Sequence, residues 1–312
     1  MRVATVLFLF LVSVLTCLCQ TEEQYNGPII DMHIHAYTSE DFWGPAPNPA
    51  TGEMSVADAD AHRELTLTYM KENNIVLGIV DGKSPLAVAP WKEALGDGIV
   101  RALYFQKPGD IDIESFKTKI ESGDIELFGE IGTNYAGYAP SDPVFDSYWE
   151  LCEKYNIPVG IHTGGSFPGI HRRNQNFRLR YGDPLLVEDI IVKYPGLRIY
   201  LMHAGGHFYE RAALMMVQYP ELYVDIAVLN WVPDAGNFLV PFLKKAKEYD
   251  VLDRVMFGSD QMIWPEAIEM AIENIQSLDF LTYDDKKRIF YDNAARFLNL
   301  SEETIAKHHG EE

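Results

Sequence analysis

Eight short runs rich in β-branched and aromatic residues recur along the 312-residue chain, at 29–36, 75–80, 99–105, 127–131, 159–163, 198–203, 223–228 and 255–259. Between them lie amphipathic stretches such as "ADAHRELTLTYMKENN", "PLLVEDIIVKYP" and "LVPFLKKAKEYD". Strand and helix patterns in strict alternation are the mark of parallel βα units. Several runs, "RIYLMHAGG" and "RVMFGSD" among them, are apolar at nearly every position. Strands covered by helices on both faces read this way. Eight units within residues 28–300 predict an α/β fold, a (β/α)8 TIM barrel in a single domain. The rival, an open doubly wound sheet, usually carries a glycine-rich turn after its first strand, and "HIHAYTSEDF" is not one.

The first run, "IIDMHIHAY", places two histidines one residue apart behind an aspartate. Strict alternation sends Asp31, His33 and His35 into the barrel mouth and turns Met32 and Ile34 towards the helices. An H-x-H pair is a weak signal by itself, but other metal-competent residues occupy the same relative place. Glu130 stands near the end of "LFGEIG", His162 ends "VGIH", His203 ends "YLMH" and Asp260 ends "MFGSD". In a barrel the carboxyl ends of all strands meet on one rim. Imidazole and carboxylate donors suit Zn²⁺, and a catalytic site keeps one position open for water. Glycines follow in "EIG", "HTGG" and "HAGG", which lets the chain turn sharply beyond each candidate ligand.

Each candidate has a plainer reading. His33 and His35 as hydrogen-bonded interior histidines, Glu130 as a buried partner of an arginine or a group that supports the ligands, and Asp260 as a helix N-cap all stay open on these residues alone. His207 reads as solvent-facing or as a supporting residue. Asp31, and to a lesser degree Asp225, are expected to orient the site. The loop 166–184 carries His171, Arg172, Arg173, Arg178 and Arg180, whose guanidinium forks would match an anionic group on a substrate. Solvated arginines on a surface loop are the alternative. Trp231, after the seventh run, and Phe42 and Trp43, in the loop 42–54, either wall an apolar pocket or pack loops together.

The formal net charge of -20 and pI near 4.8 argue against nucleic acid and anionic membranes as partners. Residues 1–19, "MRVATVLFLFLVSVLTCLC", read as a secretory signal peptide: Arg2 leads an apolar stretch shorter than a membrane span. Secretion to a periplasmic or extracellular space follows, without stable membrane insertion after cleavage; a lipid on Cys17 or Cys19 is a minor variant. A short linker, 20–27, precedes the barrel. Cys152 is then the one mature cysteine, and its helical context, "YWELCEKYN", predicts a buried apolar role. Residues 301–312 form a C-terminal tail ending "KHHGEE", expected to be frayed, with histidines poorly placed as ligands. Homo-oligomers stay open.

Taken in order, "DMHIH", "GEIG", "IHTGG", "MHAGG", "FGSD" and "RIFYDNAARFLNL" resemble the amidohydrolase superfamily, in particular its amidohydrolase-related branch, over roughly residues 28–300. The resemblance implies a metal-dependent barrel enzyme. It makes His33 and His35 the paired ligands of the first strand, His162 the fifth-strand ligand, and Asp260 a residue that touches the metal and handles the proton of the attacking water. His203 would bind a second ion or polarise the substrate, and Glu130 would correspond to the fourth-strand carboxylate that bridges two ions in some relatives. The implied cofactor is Zn²⁺ or a similar divalent metal, one or two ions. The implied reaction is attack of activated water on an amide, lactone or other ester of a small molecule, anionic if the arginine loop grips it. Relatives in the same branch imply an alternative, non-oxidative decarboxylation of an aromatic or enoic acid. A barrel that binds without turnover is a third reading.

Overall fold

Eight parallel strands follow one another around a single sheet in sequence order: β1 Ile29–His35, β2 Ile75–Gly82, β3 Ile99–Phe105, β4 Leu127–Ile131, β5 Val159–His162, β6 Ile199–Met202, β7 Tyr223–Asp225 and β8 Val255–Met256. Successive pairs are parallel throughout. The chain after β8 closes the ring onto β1: Met32 N donates to Phe257 O at 3.0 Å and Asp260 N to His33 O at 2.8 Å. The architecture is the expected TIM barrel. The computed structural model describes residues 24–311, so the expected leader and the first part of the linker lie outside the described residues. Among the described residues no helix is long and apolar enough to cross a membrane.

Helices cover the outside because their apolar positions repeat at helical spacing. Helix Ala59–Glu72 buries Ala59, His62, Thr66 and Met70, and Asp58 caps it by accepting from Ala61 N. Helix Ala267–Gln276 buries Ala267, Ile268, Ala271, Ile272 and Ile275. These faces join the large cluster between strands and helices. A second cluster takes Ile30, Met32, Leu77, Ile79, Tyr200, Met202 and Met256, the residues that fill the barrel interior.

Met32 therefore corrects one expectation. It faces the interior, while Ile34 packs outward. The register explains why: Asp31 pairs with Gly78 but Ile34 with Val80, so β1 holds one extra residue between them. This β-bulge lets Met32 fill the barrel and still delivers His33 and His35 to the rim.

The C-terminal segment corrects another. Helix Asn293–Phe297 seals the amino end of the barrel, where the Phe297 ring lies 5.1 Å from Tyr223 and 5.4 Å from Tyr200. Beyond it, residues expected to fray form helix Glu302–His309, capped by Ser301 and tied down by a 2.8 Å contact between His308 Nδ1 and Tyr291 OH. The tail histidines thus sit at the end opposite the rim. Cys152 is fully buried, and burial holds its thiol well above the usual range, as a packing residue requires.

Candidate metal centre

Six side chains from five strand ends converge on the carboxyl rim. Glu130, from β4, is the hub. Its Oε1 contacts His162 Nδ1 and lies 3.4 Å from His203 Nε2. Its Oε2 lies 3.8 Å from His35 Nε2 and 4.0 Å from His33 Nε2. His162 Nδ1 and His203 Nε2 are 3.1 Å apart, and His35 Nε2 is 3.0 Å from Asp260 Oδ1. Glu130 pairs with imidazoles and not with an arginine.

The outward nitrogens of the four imidazoles face acceptors. His35 Nδ1 meets Asp81 Oδ1 at 2.6 Å, His203 Nδ1 meets Ala227 O at 3.2 Å, and His162 Nε2 meets Gly165 O at 3.1 Å. His33 Nδ1 lies 3.4 Å from Asp225 Oδ2. Asp81 Oδ1 and Ala227 O can only accept, so His35 and His203 carry the proton on the outward nitrogen and point a lone pair at the centre, whereas His162 meets an acceptor at both nitrogens, Gly165 O and Glu130 Oε1. Lone pairs and carboxylate oxygens then crowd one buried spot. His33 Nε2 and Asp260 Oδ1 are buried with no hydrogen-bond partner, and the His35–Asp260 contact lacks hydrogen-bond geometry despite its short distance. A divalent cation resolves this arrangement, and imidazole with carboxylate is a donor set for one. Two donor groups share Glu130: His33, His35 and Asp81 with Glu130, and His162 and His203 with Glu130. The residues present fit one ion or two.

The charges agree. Burial works against protonating His33, yet the Asp260 and Asp225 carboxylates outweigh it and raise its pKa to about 9. Burial would raise the Glu130 carboxyl, but His162, His203 and His33 hold it well below the usual range. Asp260 is likewise lowered against burial by His33, His35 and His203. The pocket draws positive charge, which a proton or a metal can supply.

Asp81, at the end of β2, escaped the sequence reading. Its Oδ1 receives His35 and its Oδ2 receives Glu130 N at 2.7 Å, so one carboxylate aligns two candidate ligands. Its signal was an acid at the end of an apolar strand, the criterion that found Glu130. Asp225 Oδ1 accepts from His203 N at 2.7 Å. Asp31 Oδ1 accepts from His33 N at 3.0 Å and Ser259 N at 2.9 Å, stitching β1 to the end of β8.

Backbone strain is concentrated on the same rim. His203, Val228 and Asp260 follow β6, β7 and β8 with φ of 63°, 66° and 47°. Such conformations cost about 1–3 kcal/mol each in non-glycine residues and persist where surroundings enforce them. The "HTGG" and "HAGG" turns pack backbone to backbone: a Cβ on Gly164 (φ +89°) would lie 2.9 Å from Gly205 O.

Above the centre opens a cavity of about 1040 Å³ floored by His35, Glu130, His162, His203 and Asp260. Of the loop arginines only Arg173 lines it. Arg172 is exposed outside the lining, Arg178 donates to the Gln175 and Phe177 carbonyls, and Arg180 donates to Tyr181 OH. Trp231 is buried behind the wall, donating to Ser259 O at 2.8 Å. Trp43 lines the cavity, whereas Phe42 packs 5.6 Å from Tyr37. His207 lines it with its ring 4.6 Å from Phe238. Tyr37, Tyr104 and Tyr135 also line it and were not singled out from sequence.

The family model described as Amidohydrolase matches residues 30–300. The chain belongs to this amidohydrolase family. No curated protein sequence matches this amidohydrolase. Among solved structures, a probable 2-pyrone-4,6-dicarboxylic acid hydrolase from Acinetobacter baumannii, with citric acid bound, is similar at 13% identity and TM-score 0.60, covering 87% of this chain and 99% of that one. A 5-carboxyvanillate decarboxylase from Sphingomonas paucimobilis is similar at 13% identity and TM-score 0.58, over 88% and 99% of the two chains. Another, from Novosphingobium aromaticivorans, in complex with manganese and 4-hydroxy-3-methoxy-5-nitrobenzoic acid, is similar at 17% identity and TM-score 0.58, over 88% and 96%. At these identities the likeness concerns the fold. The amidohydrolase family is one of enzymes, and the similar solved barrels include both hydrolases and decarboxylases.

Proposed function

We propose that this amidohydrolase is a metal-dependent hydrolase that cleaves an amide, lactone or other ester bond of a small molecule. The observation that carries the reading is Asp260: a buried carboxylate on the cavity floor whose Oδ1 lacks a hydrogen-bond donor and lies 3.0 Å from His35 Nε2. His33, His35, Glu130, His162, His203 and Asp260 would hold the cation, and their imidazole-rich set favours zinc. A divalent ion there supplies Lewis acidity, lowering the pKa of water at the site and polarising a carbonyl.

The chain's own groups do the rest. Asp260 takes the proton of the attacking water and returns it to the leaving oxygen or nitrogen. Asp81 keeps His35 in one tautomer. Burial, and then the Glu130 charge, raise the pKa of the Tyr104 and Tyr135 phenols, so both stay neutral and can donate to a developing oxyanion. Export through residues 1–19 is part of the proposal. A screen of the metal-loaded protein over lactones, esters and amides, with carbon dioxide release from aromatic acids measured in parallel, tests the reaction. Hydrolysis is the expected result. Carbon dioxide release without hydrolysis would make the protein a decarboxylase.

A further inference from the structure

The cavity above the metal centre is large, apolar and poor in positive charge, and we infer that its substrate is a bulky, neutral, mainly apolar ester or lactone. The inference rests on the hydrolase reading for the bond cleaved, but on different observations for the substrate.

Size is the first. At about 1040 Å³ the cavity lies at the top of the range of about 300–1,000 Å³ for pockets that enclose small ligands. A compact acid would leave most of it filled with water.

Its walls are the second. Trp264, Phe177 and Phe238 line the cavity above the metal centre. At the mouth Trp43, Phe167 and Leu179 line the same space with 50%, 49% and 48% of their surface open to solvent. Half-exposed apolar side chains around one opening gain hydration free energy when covered. The collar and the metal centre border one cavity, so the fitting occupant is the apolar part of a molecule whose scissile bond sits at the centre.

Charge is the third. Five carboxylates line the cavity, Asp41, Asp81, Glu130, Asp234 and Asp260, against one lysine, Lys83, and one arginine, Arg173. Both cationic residues are exposed, and the Arg173 guanidinium lies over the Phe167 ring at 5.4 Å. No buried lysine or arginine lines the cavity to grip a free carboxylate. One divalent ion leaves this lining slightly negative and two bring it only just past neutral, and the chain's net charge of -20 repels anions at longer range.

The cleavage itself is balanced with water alone. Water oxygen bonds to the acyl carbon, the acyl–oxygen bond breaks, and the water proton passes through Asp260 to the departing alkoxide.

Calorimetric titration of the metal-loaded protein with alkyl methyl ketones of increasing length, against ω-carboxylate ketones of equal length, tests the substrate class. Hydrolysis of p-nitrophenyl esters bearing the same two kinds of chain is measured alongside. Ketone affinity should rise about three- to fourfold per methylene, as burial of each CH₂ implies. The carboxylates should bind at least tenfold more weakly. Trp43→Ala with Phe167→Ala should flatten the dependence for the longest chains and spare the shortest. A flat length dependence, or carboxylates that bind as well as ketones, would overturn the inference. Ketone binding without turnover of any ester would remove the hydrolase reading and leave the substrate class standing. Ester turnover that favours carboxylate chains would do the reverse.

Discussion

Asp260 combines three features: burial, a left-handed backbone and a carboxylate oxygen without a donor. Its backbone is pinned by Asp260 N donating to His33 O, so the carboxylate is held beside β1. Asp260→Asn keeps the shape and one donor oxygen but loses the base. It should retain most bound metal while turnover falls by a factor on the order of 10²–10⁴, the usual worth of general acid–base catalysis; unchanged turnover would remove the proton-transfer role. Asp81 acts at one remove. Asp81→Asn can still accept from His35, but it loses the charge that holds the imidazole proton outward. Metal affinity should fall about 10–100-fold, the customary cost of losing such a supporting carboxylate. Equilibrium dialysis against a metal buffer reads this directly, and wild-type affinity would show that Asp81 is ornamental.

At the scale of single elements, β1 does two jobs with one extra residue. The bulge between Asp31 and Ile34 turns Met32 into the interior while His33 and His35 reach the rim. Met32→Ala should cost about 2–5 kcal/mol of stability, as deletions in a filled core do, measured by urea unfolding. A change near zero would mean the interior is slack there. Helix Ala59–Glu72 carries a buried titratable group, His62, whose pKa is lowered to about 3 by burial and then by the charge of His35. The folded value lies below the unfolded one, so unfolding takes up a proton as pH falls below about 6.5. Wild type should lose stability on acidification from pH 6.5 towards 4 more steeply than His62→Gln, by up to about 1.4 kcal/mol per pH unit. Parallel slopes for the two proteins would contradict a neutral buried His62.

On the whole molecule, the alternation of eight strand-like and helix-like stretches was enough to reveal the barrel, because helices on the outside and a filled interior leave nearly every strand residue apolar. Candidate ligands were legible for a related reason: a polar side chain at the end of an apolar strand has few structural uses, and the barrel brings all such ends together. Other features left no periodic trace. One inserted residue in β1 looks like ordinary alternation until pairing is known. Asp81 resembles any acid before a turn, and Tyr37, Tyr104 and Tyr135 resemble core aromatics. The loop 166–184 has no period to orient it, so four arginines that read alike in sequence divide into one at the cavity and three away from it.

The whole-molecule claim is that distant residues form one cation site, and elemental analysis of the purified protein tests it most directly. Wild type is expected to carry one or two equivalents of a divalent metal, and the double variant His33→Ala, His35→Ala to carry at least one equivalent less with an unchanged circular dichroism spectrum. Full metal content in that folded variant, or a wild-type protein that takes up no divalent ion when one is supplied, would contradict the account.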